Sequence, residues 1–180
     1  MRRVPHTPAP DPAPLPPDDL DRKLAVGRAD DDALPHIGLA GDSYTILVSG
    51  EDTGGQFTLI DMLVPPGGGP PPHRHDFEET FTVLDGAIDV TFRDETITLG
   101  AGQTANIPAN APHRFTNAGD ATAHLLCTCS PAGQDAFFLQ VGDRLPSRDA
   151  HAPKPSDDEL AARGAKVAEL APLYRTEFLA

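Results

Sequence analysis

The chain has 180 residues and a formal net charge of −13, and its fourteen Lys and Arg residues form no basic run. This charge disfavours phosphate backbones and anionic lipid surfaces, so we expect neither nucleic acid nor a membrane as a partner. No apolar stretch approaches the length of a membrane span, and MRRVPHTPAP at the N-terminus contains no apolar segment. A single domain in the cytoplasm is therefore predicted.

Residues 1–35 are rich in Pro, Asp and Ala and contain few apolar side chains. Such a composition cannot bury enough apolar surface to offset the loss of chain entropy. We therefore predict a disordered N-terminal arm, in which Leu20 to Leu24 can pack on a partner subunit.

From His36 onward, short runs rich in β-branched and aromatic residues follow one another, each bounded by Gly, Asp or Pro. The last of them is DAFFLQVG, which ends at Gly142. Because no helical periodicity intervenes, residues 36–141 predict an all-β domain, either an antiparallel sandwich or a small barrel. The Asp85-Gly86 pair between two alternating runs predicts a hairpin turn.

Residues 67–86, GGGPPPHRHDFEETFTVLDG, contain imidazoles and a carboxylate at the spacing of metal ligands. His73 and His75 alternate with one residue, so on a strand both rings lie on the same face. Glu79 opens the next predicted strand and supplies a third ligand. Glu78 is one residue short of that spacing, and we interpret it as a solvated side chain.

A second stretch, residues 102–117, places His113 just after the turn PANAP and at the head of a short strand. His113 is the natural fourth ligand. Imidazole and carboxylate together suit one divalent transition metal, which could be iron, manganese, nickel, copper, cobalt or zinc. A single H-x-H pair is also typical of a polar strand face, but two stretches in register favour a metal site.

Cys127 and Cys129 are the two cysteines of the chain and alternate on a predicted strand, AHLLCTCS. This spacing does not favour a disulfide within a regular strand. We interpret both as small buried hydrophobic side chains rather than a redox pair.

Residues 142–180 predict a linker followed by a C-terminal helix. Ser156 and Glu159 form the pattern of a capping box, and apolar residues then recur at helical spacing, which predicts a helix from about Asp157 to Leu170. Pro172 starts a second short turn. We expect this helix to pack on the outer face of the barrel rather than to form a lid over the metal site.

The two histidine-containing stretches resemble the two motifs of the cupin superfamily. Residues 67–86 fit the pattern G-x5-H-x-H-x3-E-x6-G at Gly67, His73, His75, Glu79 and Gly86. Residues 102–117 fit G-x5-P-x-G-x2-H-x3-N except at one position, where Asn110 replaces glycine. Asparagine tolerates the left-handed backbone conformation, so we expect the turn to be retained.

The cupin resemblance implies a double-stranded β-helix, or jelly roll, with the metal inside one end of the barrel. It implies that His73, His75 and Glu79 come from neighbouring strands and His113 from a strand across the barrel. The chain is similar to small single-domain, quercetinase-type dioxygenases, which implies oxidation of a small enolic, phenolic or carboxylate substrate, with Glu79 as base and ligand. A non-oxidative isomerase, lyase or cyclase, and a non-catalytic metal-binding or ligand-binding module, are the alternatives.

Phe81, Val83 and Phe115 share the strand parity of their nearest ligands and are predicted to line an apolar substrate pocket. Three other candidate bases are interpreted as structural: Tyr44, Asp61 and His124.

Small cupins commonly pair, and the strand from Tyr44 to Ser49 is predicted to have an edge that needs cover. A homodimer is therefore expected, with this strand or the N-terminal arm crossing to the neighbour.

Overall fold

A computed structural model describes residues 14–150 and 156–179 of the chain. The first thirteen residues of the predicted arm lie outside this range. Within it, the chain forms two antiparallel sheets and three helical segments. The strands are β1 (His36–Leu39), β2 (Asp42–Val48), β3 (Thr58–Val64), β4 (His73–His75), β5 (Glu78–Asp85), β6 (Ala87–Phe92), β7 (Glu95–Gly100), β8 (Thr104–Ile107), β9 (His113–Thr116), β10 (Ala123–Ser130), β11 (Asp143–Leu145) and β12 (Thr176–Phe178).

The strands build the jelly roll that the sequence predicts. One sheet has the order β11-β1-β2-β3-β10-β5-β8, and the other has the order β12-β4-β9-β6-β7. Alternating side chains of β5 and β10 are buried between the sheets, which is the period expected of strands with one face on a core. The core is apolar and includes Ile60, Phe81 and Leu125. The all-β fold class is therefore confirmed.

The described part of the N-terminal arm, residues 14–35, contains turns but neither helix nor strand. It is nevertheless attached to the barrel, because the Arg22 guanidinium donates a hydrogen bond of 2.8 Å to the Asp52 carbonyl. Its apolar side chains at Leu15, Leu20 and Leu24 remain largely exposed.

The prediction of a strand at DAFFLQVG was wrong. Helix α1 (Gln134–Val141) occupies this stretch, and its buried residues include Phe137, Phe138 and Val141. These three positions fit helical spacing, but they also belong to a short apolar run that is typical of a buried strand. Periodicity alone could therefore not separate a helix from a strand here.

Two further corrections concern strand pairing. Strand β2 pairs with β1 on one side and β3 on the other, so it is not the edge strand that the sequence analysis expected. The turn at Asp85-Gly86 joins β5 to β6, but these strands belong to different sheets, so it is not a hairpin. Gly86 has a φ of 74° in this turn, a conformation that suits glycine.

The C-terminal region contains more regular structure than a linker and a helix. Helix α2 spans Asp157–Leu170 as predicted, and the Ser156 and Glu159 side chains form its capping box. A 3₁₀ helix (Ala171–Tyr174) follows it. Strand β11 pairs with β1, and β12 pairs with β4, so both sheets extend past the predicted barrel boundary at residue 141. No helix in the described ranges has the length and apolar character required to cross a bilayer.

Candidate metal centre

The four predicted ligands are brought together between the two sheets. His73 and His75 lie on β4, His113 lies on the paired strand β9, and Glu79 reaches them from β5 of the opposite sheet. The predicted strand arrangement was therefore wrong, since His113 is the neighbour of His73 and Glu79 is the ligand across the barrel. The spacing of each motif is local, whereas this pairing depends on contacts between distant parts of the chain.

Asn110 holds the second motif against the first. Its φ of 68° is the left-handed conformation expected where the motif usually has glycine. In this conformation the backbone N–H of Asn110 donates a hydrogen bond of 2.6 Å to the backbone carbonyl of His75. The turn before β9 is thereby fixed to the strand that carries two ligands.

The four side chains form a compact and buried cluster. Their exposed fractions are 2 to 5%, and their ligand atoms all lie within 4.8 Å of one another. Glu79 Oε2 is 3.1 Å from His75 Nε2 and 3.0 Å from His113 Nε2. Glu78 behaves as predicted, since it is exposed and accepts hydrogen bonds from Asn106 and Ala109.

Backbone carbonyls fix the tautomer of all three histidines. The Nδ1 atoms of His73, His75 and His113 lie 3.0, 2.9 and 2.9 Å from the carbonyl oxygens of Pro71, Phe77 and Ala111. A carbonyl oxygen only accepts, so each Nδ1 carries a proton and donates it. In the neutral ring, Nε2 then presents a lone pair to the centre of the cluster.

Two of these lone pairs face the Glu79 carboxylate at hydrogen-bond distance, which requires a positive charge between them. Burial alone would lower the pKa of His113, but the Glu79 carboxylate outweighs it and raises that pKa. Burial likewise raises the pKa of Glu79, but hydrogen bonds with His113 and His75 hold it below its usual range.

A divalent cation fits the same position. Two ligand atoms that bind one ion at right angles, each with a bond of about 2.1 Å, lie about 3.0 Å apart. The distances from Glu79 Oε2 to the Nε2 atoms of His75 and His113 match this value. Burial lowers the pKa of His73 to about 4, so this ring is neutral and able to act as a ligand at pH 7. The donor set therefore fits the predicted transition metal, held by His73, His75, Glu79 and His113.

The other oxygen of Glu79 faces two thiols. Oε1 lies 3.4 Å from Cys127 Sγ and 3.8 Å from Cys129 Sγ, and the two sulfurs are 3.7 Å apart. Both cysteines are free and buried, as predicted. Contact with the Cys129 thiol and burial raise the pKa of the Cys127 thiol well above its usual value, so it keeps its proton.

A cavity of about 1520 Å³ opens beside the cluster and is lined by His73, His75 and Glu79. Phe115 lies on its wall, as the sequence analysis predicted. Phe81 and Val83 are not among the cavity-lining residues, since they are fully buried in the core, where the Phe81 ring packs edge-on against Phe115 at 5.0 Å. Shared strand parity placed all three inside the barrel but could not tell the core from the cavity.

Several wall residues were not predicted as part of the site. Tyr44 and Phe138 stack with ring centroids 5.0 Å apart, and the Tyr44 hydroxyl donates a hydrogen bond of 2.8 Å to Asp42 Oδ2. Gln134, at the start of α1, is buried and contributes to the same wall. The helical spacing of the apolar residues after Gln134 was the signal that could have placed α1 beside the cavity.

The other two candidate bases lie elsewhere. His124 Nε2 is 2.5 Å from Asp61 Oδ2, and Arg148 Nε donates a hydrogen bond of 2.7 Å to Asp61 Oδ1. Neither Asp61 nor His124 lines the large cavity, whereas Tyr44 does. Asp61 and His124 therefore tie the segment around Arg148 to the sheet.

The C-terminal segment forms part of the cavity wall, whereas the sequence predicted that its helix packs on the outer face of the barrel. Leu160, Val167 and Phe178 are among its wall residues. Strand β12 pairs along β4, and the Leu179 amide donates a hydrogen bond of 2.8 Å to the Pro72 carbonyl. The segment from α2 to β12 thus lies over the strand that carries His73 and His75.

Two facing antiparallel sheets that hold three histidines and a glutamate between them define a class of protein, the jelly-roll barrel with a candidate metal centre inside. Within this class, residues 60–129 match the Cupin_2 family, described as cupin domain.

Two curated relatives and one solved structure are similar to this chain. It is 30% identical over 128 residues to quercetin 2,3-dioxygenase of Bacillus subtilis, across 71% of this chain and 37% of the relative. It is 34% identical over 87 residues to polyketide synthase CurC of Streptomyces cyaneus, across 48% and 52%. The chain thus spans about half or less of the length of these relatives. Its fold is similar to that of a predicted oxalate decarboxylase from Thermotoga maritima, with TM-score 0.52 and 20% identity over 59% of this chain and 98% of that one.

Proposed function

We propose that the protein is a metal-dependent dioxygenase that acts on a small organic molecule with an enolic, phenolic or carboxylate group. The observation that carries this proposal is the convergence of the Glu79 carboxylate with the Nε2 lone pairs of three histidines beside a large, mostly apolar cavity, whose wall includes His73, His75 and Glu79. The similarity to quercetin 2,3-dioxygenase supports the reaction class.

His73, His75, Glu79 and His113 would hold a divalent ion by four ligands, which would leave further coordination positions for substrate or dioxygen. A redox-active divalent metal bound there would supply dioxygen activation and would polarise a substrate oxygen. Glu79 is the single carboxylate of the set, so a site that holds a divalent ion keeps one formal positive charge. This charge would favour an anionic substrate group.

Glu79 is the proposed base. As the base, the Glu79 carboxylate would accept the proton of a substrate hydroxyl, so that the substrate O–H bond breaks as a carboxylate O–H bond forms.

The aromatic side chains of the wall hold the substrate and exclude water. Phe115 lies next to the ligands, and Tyr44 stacked on Phe138 forms a second apolar surface. The cavity volume of about 1520 Å³ exceeds the usual range for small-molecule pockets, about 300–1,000 Å³, and the C-terminal segment contributes part of the wall.

A non-oxidative reaction is the second candidate, favoured by the similarity to polyketide synthase CurC. In that case the ion would act as a Lewis acid only, and the protein would be an isomerase, lyase or cyclase. A non-catalytic metal-binding or ligand-binding module is the third.

One experiment separates these functions. Protein purified without added metal is analysed for its elements, and dioxygen uptake is then measured with a panel of enols and catechols, with His75→Ala as the control. Iron, manganese, nickel or copper with uptake that the control lacks supports the dioxygenase. Zinc with a converted substrate and no uptake supports the non-oxidative enzyme, and a bound metal with no conversion supports the binding module.

A further inference from the structure

The carboxylate of Glu79 has two oxygens in different surroundings. Oε2 faces the histidine nitrogens, whereas Oε1 points away from them into the barrel wall formed by β10. Among the residues that the structure describes, the hydrogen-bond donors that reach Oε1 are the two thiols.

The register of β10 against β5 produces this arrangement. Cys129 stands directly opposite Glu79, and Cys127 stands opposite Phe81. Side chains on alternate residues of a strand share a face, so both sulfurs point to the same side as the carboxylate. The separations of 3.4 and 3.8 Å from Oε1 are within the range of sulfur hydrogen bonds.

A buried carboxylate oxygen without a donor would be costly. Glu79 is 5% exposed and the two cysteines are 0 to 1% exposed, so bulk water does not replace a missing donor. Ligand carboxylates in metal sites are generally held by such an outer hydrogen bond, and its loss typically weakens metal binding or activity about 10- to 100-fold.

We propose that Cys127, supported by Cys129, is a positioning residue for Glu79: its thiol donates to Oε1 and thereby keeps Oε2 directed at the metal ligands. The inference rests on the proposed metal site. It replaces the interpretation of the two cysteines as small hydrophobic side chains, because a residue chosen only for its volume need not donate a hydrogen bond. Cys127 is closer to Oε1 and makes the main contact, while Cys129 lies beside both groups.

The test uses the full chain, freed of metal and titrated with Co²⁺ in competition with a chelator of known affinity. Cys127→Ala removes the donor, whereas Cys127→Ser keeps one. Leu125→Val is the matched control, since Leu125 lies on the same face of β10 but opposite Val83 rather than Glu79. We expect Cys127→Ala to weaken Co²⁺ binding about 10- to 100-fold, and Cys127→Ser and Leu125→Val to stay within about threefold of the wild type.

Visible and near-ultraviolet absorption of the Co²⁺ protein provides a second readout. A thiol that only donates to Glu79 gives no thiolate-to-cobalt charge-transfer band, and Cys127→Ala changes the ligand-field bands because Oε2 moves. An intense charge-transfer band in the wild type would overturn the inference, since Cys127 would then be a ligand itself. Equal affinity of Cys127→Ala and the wild type, or of the alanine and serine variants, would also overturn it.

The two proposals fail in different ways. If the wild type binds no Co²⁺, the metal site itself is refuted and the role of Cys127 with it. If the wild type binds Co²⁺ and the cysteine variants match it, the role of Cys127 alone is refuted. Should Cys127→Ala not fold, as judged by circular dichroism, Cys129→Ala is measured in its place, with a smaller loss of affinity expected and an unchanged affinity contradicting the inference.

Discussion

Phe178 of β12 stands opposite His73 of β4, and the two ring centroids are 6.0 Å apart. The pairing of these strands is flanked by the ion pairs of Arg74 with Glu177 and of Arg175 with Asp76. Both ion pairs involve exposed side chains, so each contributes little stability. Backbone pairing and the Phe178 ring are therefore the main contacts that hold the C-terminal segment over the ligand strand.

Replacement of Phe178 by alanine should make the metal easier to remove. The ring is 39% exposed, so its loss forfeits about 1 kcal/mol of apolar contact, which corresponds to an increase of about fivefold in the rate of metal loss to a chelator. Leu173→Ala is the control, since Leu173 lies in the 3₁₀ helix and is 73% exposed. Equal rates for the Phe178→Ala and wild-type proteins would show that the segment does not protect the site.

Asp42 provides a prediction about pH and stability. Burial raises the pKa of this carboxyl to about 6 from 3.8, against the opposing hydrogen bond from Tyr44. The unfolded chain releases this proton above pH 3.8, but the folded chain keeps it until about pH 6, so the contribution of Asp42 to stability falls as pH rises through this window. The difference between the pKa values of Asp42 in the folded and unfolded chain corresponds to a loss of about 3 kcal/mol in the free energy of unfolding.

The variant Asp42→Asn does not titrate and should therefore be more stable than the wild type at pH 8, by up to about 3 kcal/mol. The advantage should shrink at pH 4.5. Urea unfolding followed by circular dichroism measures both values, because the chain has no tryptophan. Asp52→Asn is the control: hydrogen bonds from Ser49 lower the pKa of Asp52, so its replacement should not stabilise the protein. An Asp42→Asn protein less stable than the wild type at pH 8 would contradict the prediction.

The homodimer remains a prediction, but the structure changes its basis. Strand β2 is paired on both sides and cannot join a partner through its edge. The arm offers an apolar surface instead, because Leu20 and Leu24 are 78% and 90% exposed. Light scattering should give twice the chain mass of 19.0 kDa, and the double variant Leu20→Ser, Leu24→Ser should shift the protein toward the monomer. A wild-type mass of one chain would exclude the dimer.

The features predicted correctly from sequence are those that depend on local spacing. The H-x-H pair, Glu79 and His113 are fixed by motif spacing, and α2 is fixed by the capping box at Ser156 together with apolar periodicity. Asn110 could be assigned its left-handed conformation because few residue types tolerate it. None of these requires knowledge of which strands are neighbours.

The features that escaped prediction depend on contacts between distant residues. Strands β11 and β12 have three residues each, too few to show a period of two. The contact of Cys127 with Glu79 follows from the register of β10 against β5, which the sequence does not display. For the same reason, the position of α2 over the cavity could not be distinguished from one on the outer face.

The variant Glu79→Gln tests whether the protein is an enzyme. Glutamine is nearly isosteric and keeps an oxygen donor, but it lacks the negative charge and most of the proton affinity of the carboxylate. If Glu79 is both ligand and base, metal affinity should fall modestly while turnover falls about a hundredfold or more, the usual contribution of a positioned base. Metal content by elemental analysis and turnover are measured on the same sample, with His75→Ala as the control that should lose the metal.

Parallel loss of metal and turnover in Glu79→Gln would mean that the carboxylate only holds the ion. Full turnover with bound metal would require another base, and Tyr44, which lies on the cavity wall with its hydroxyl bonded to Asp42, is the residue to examine next.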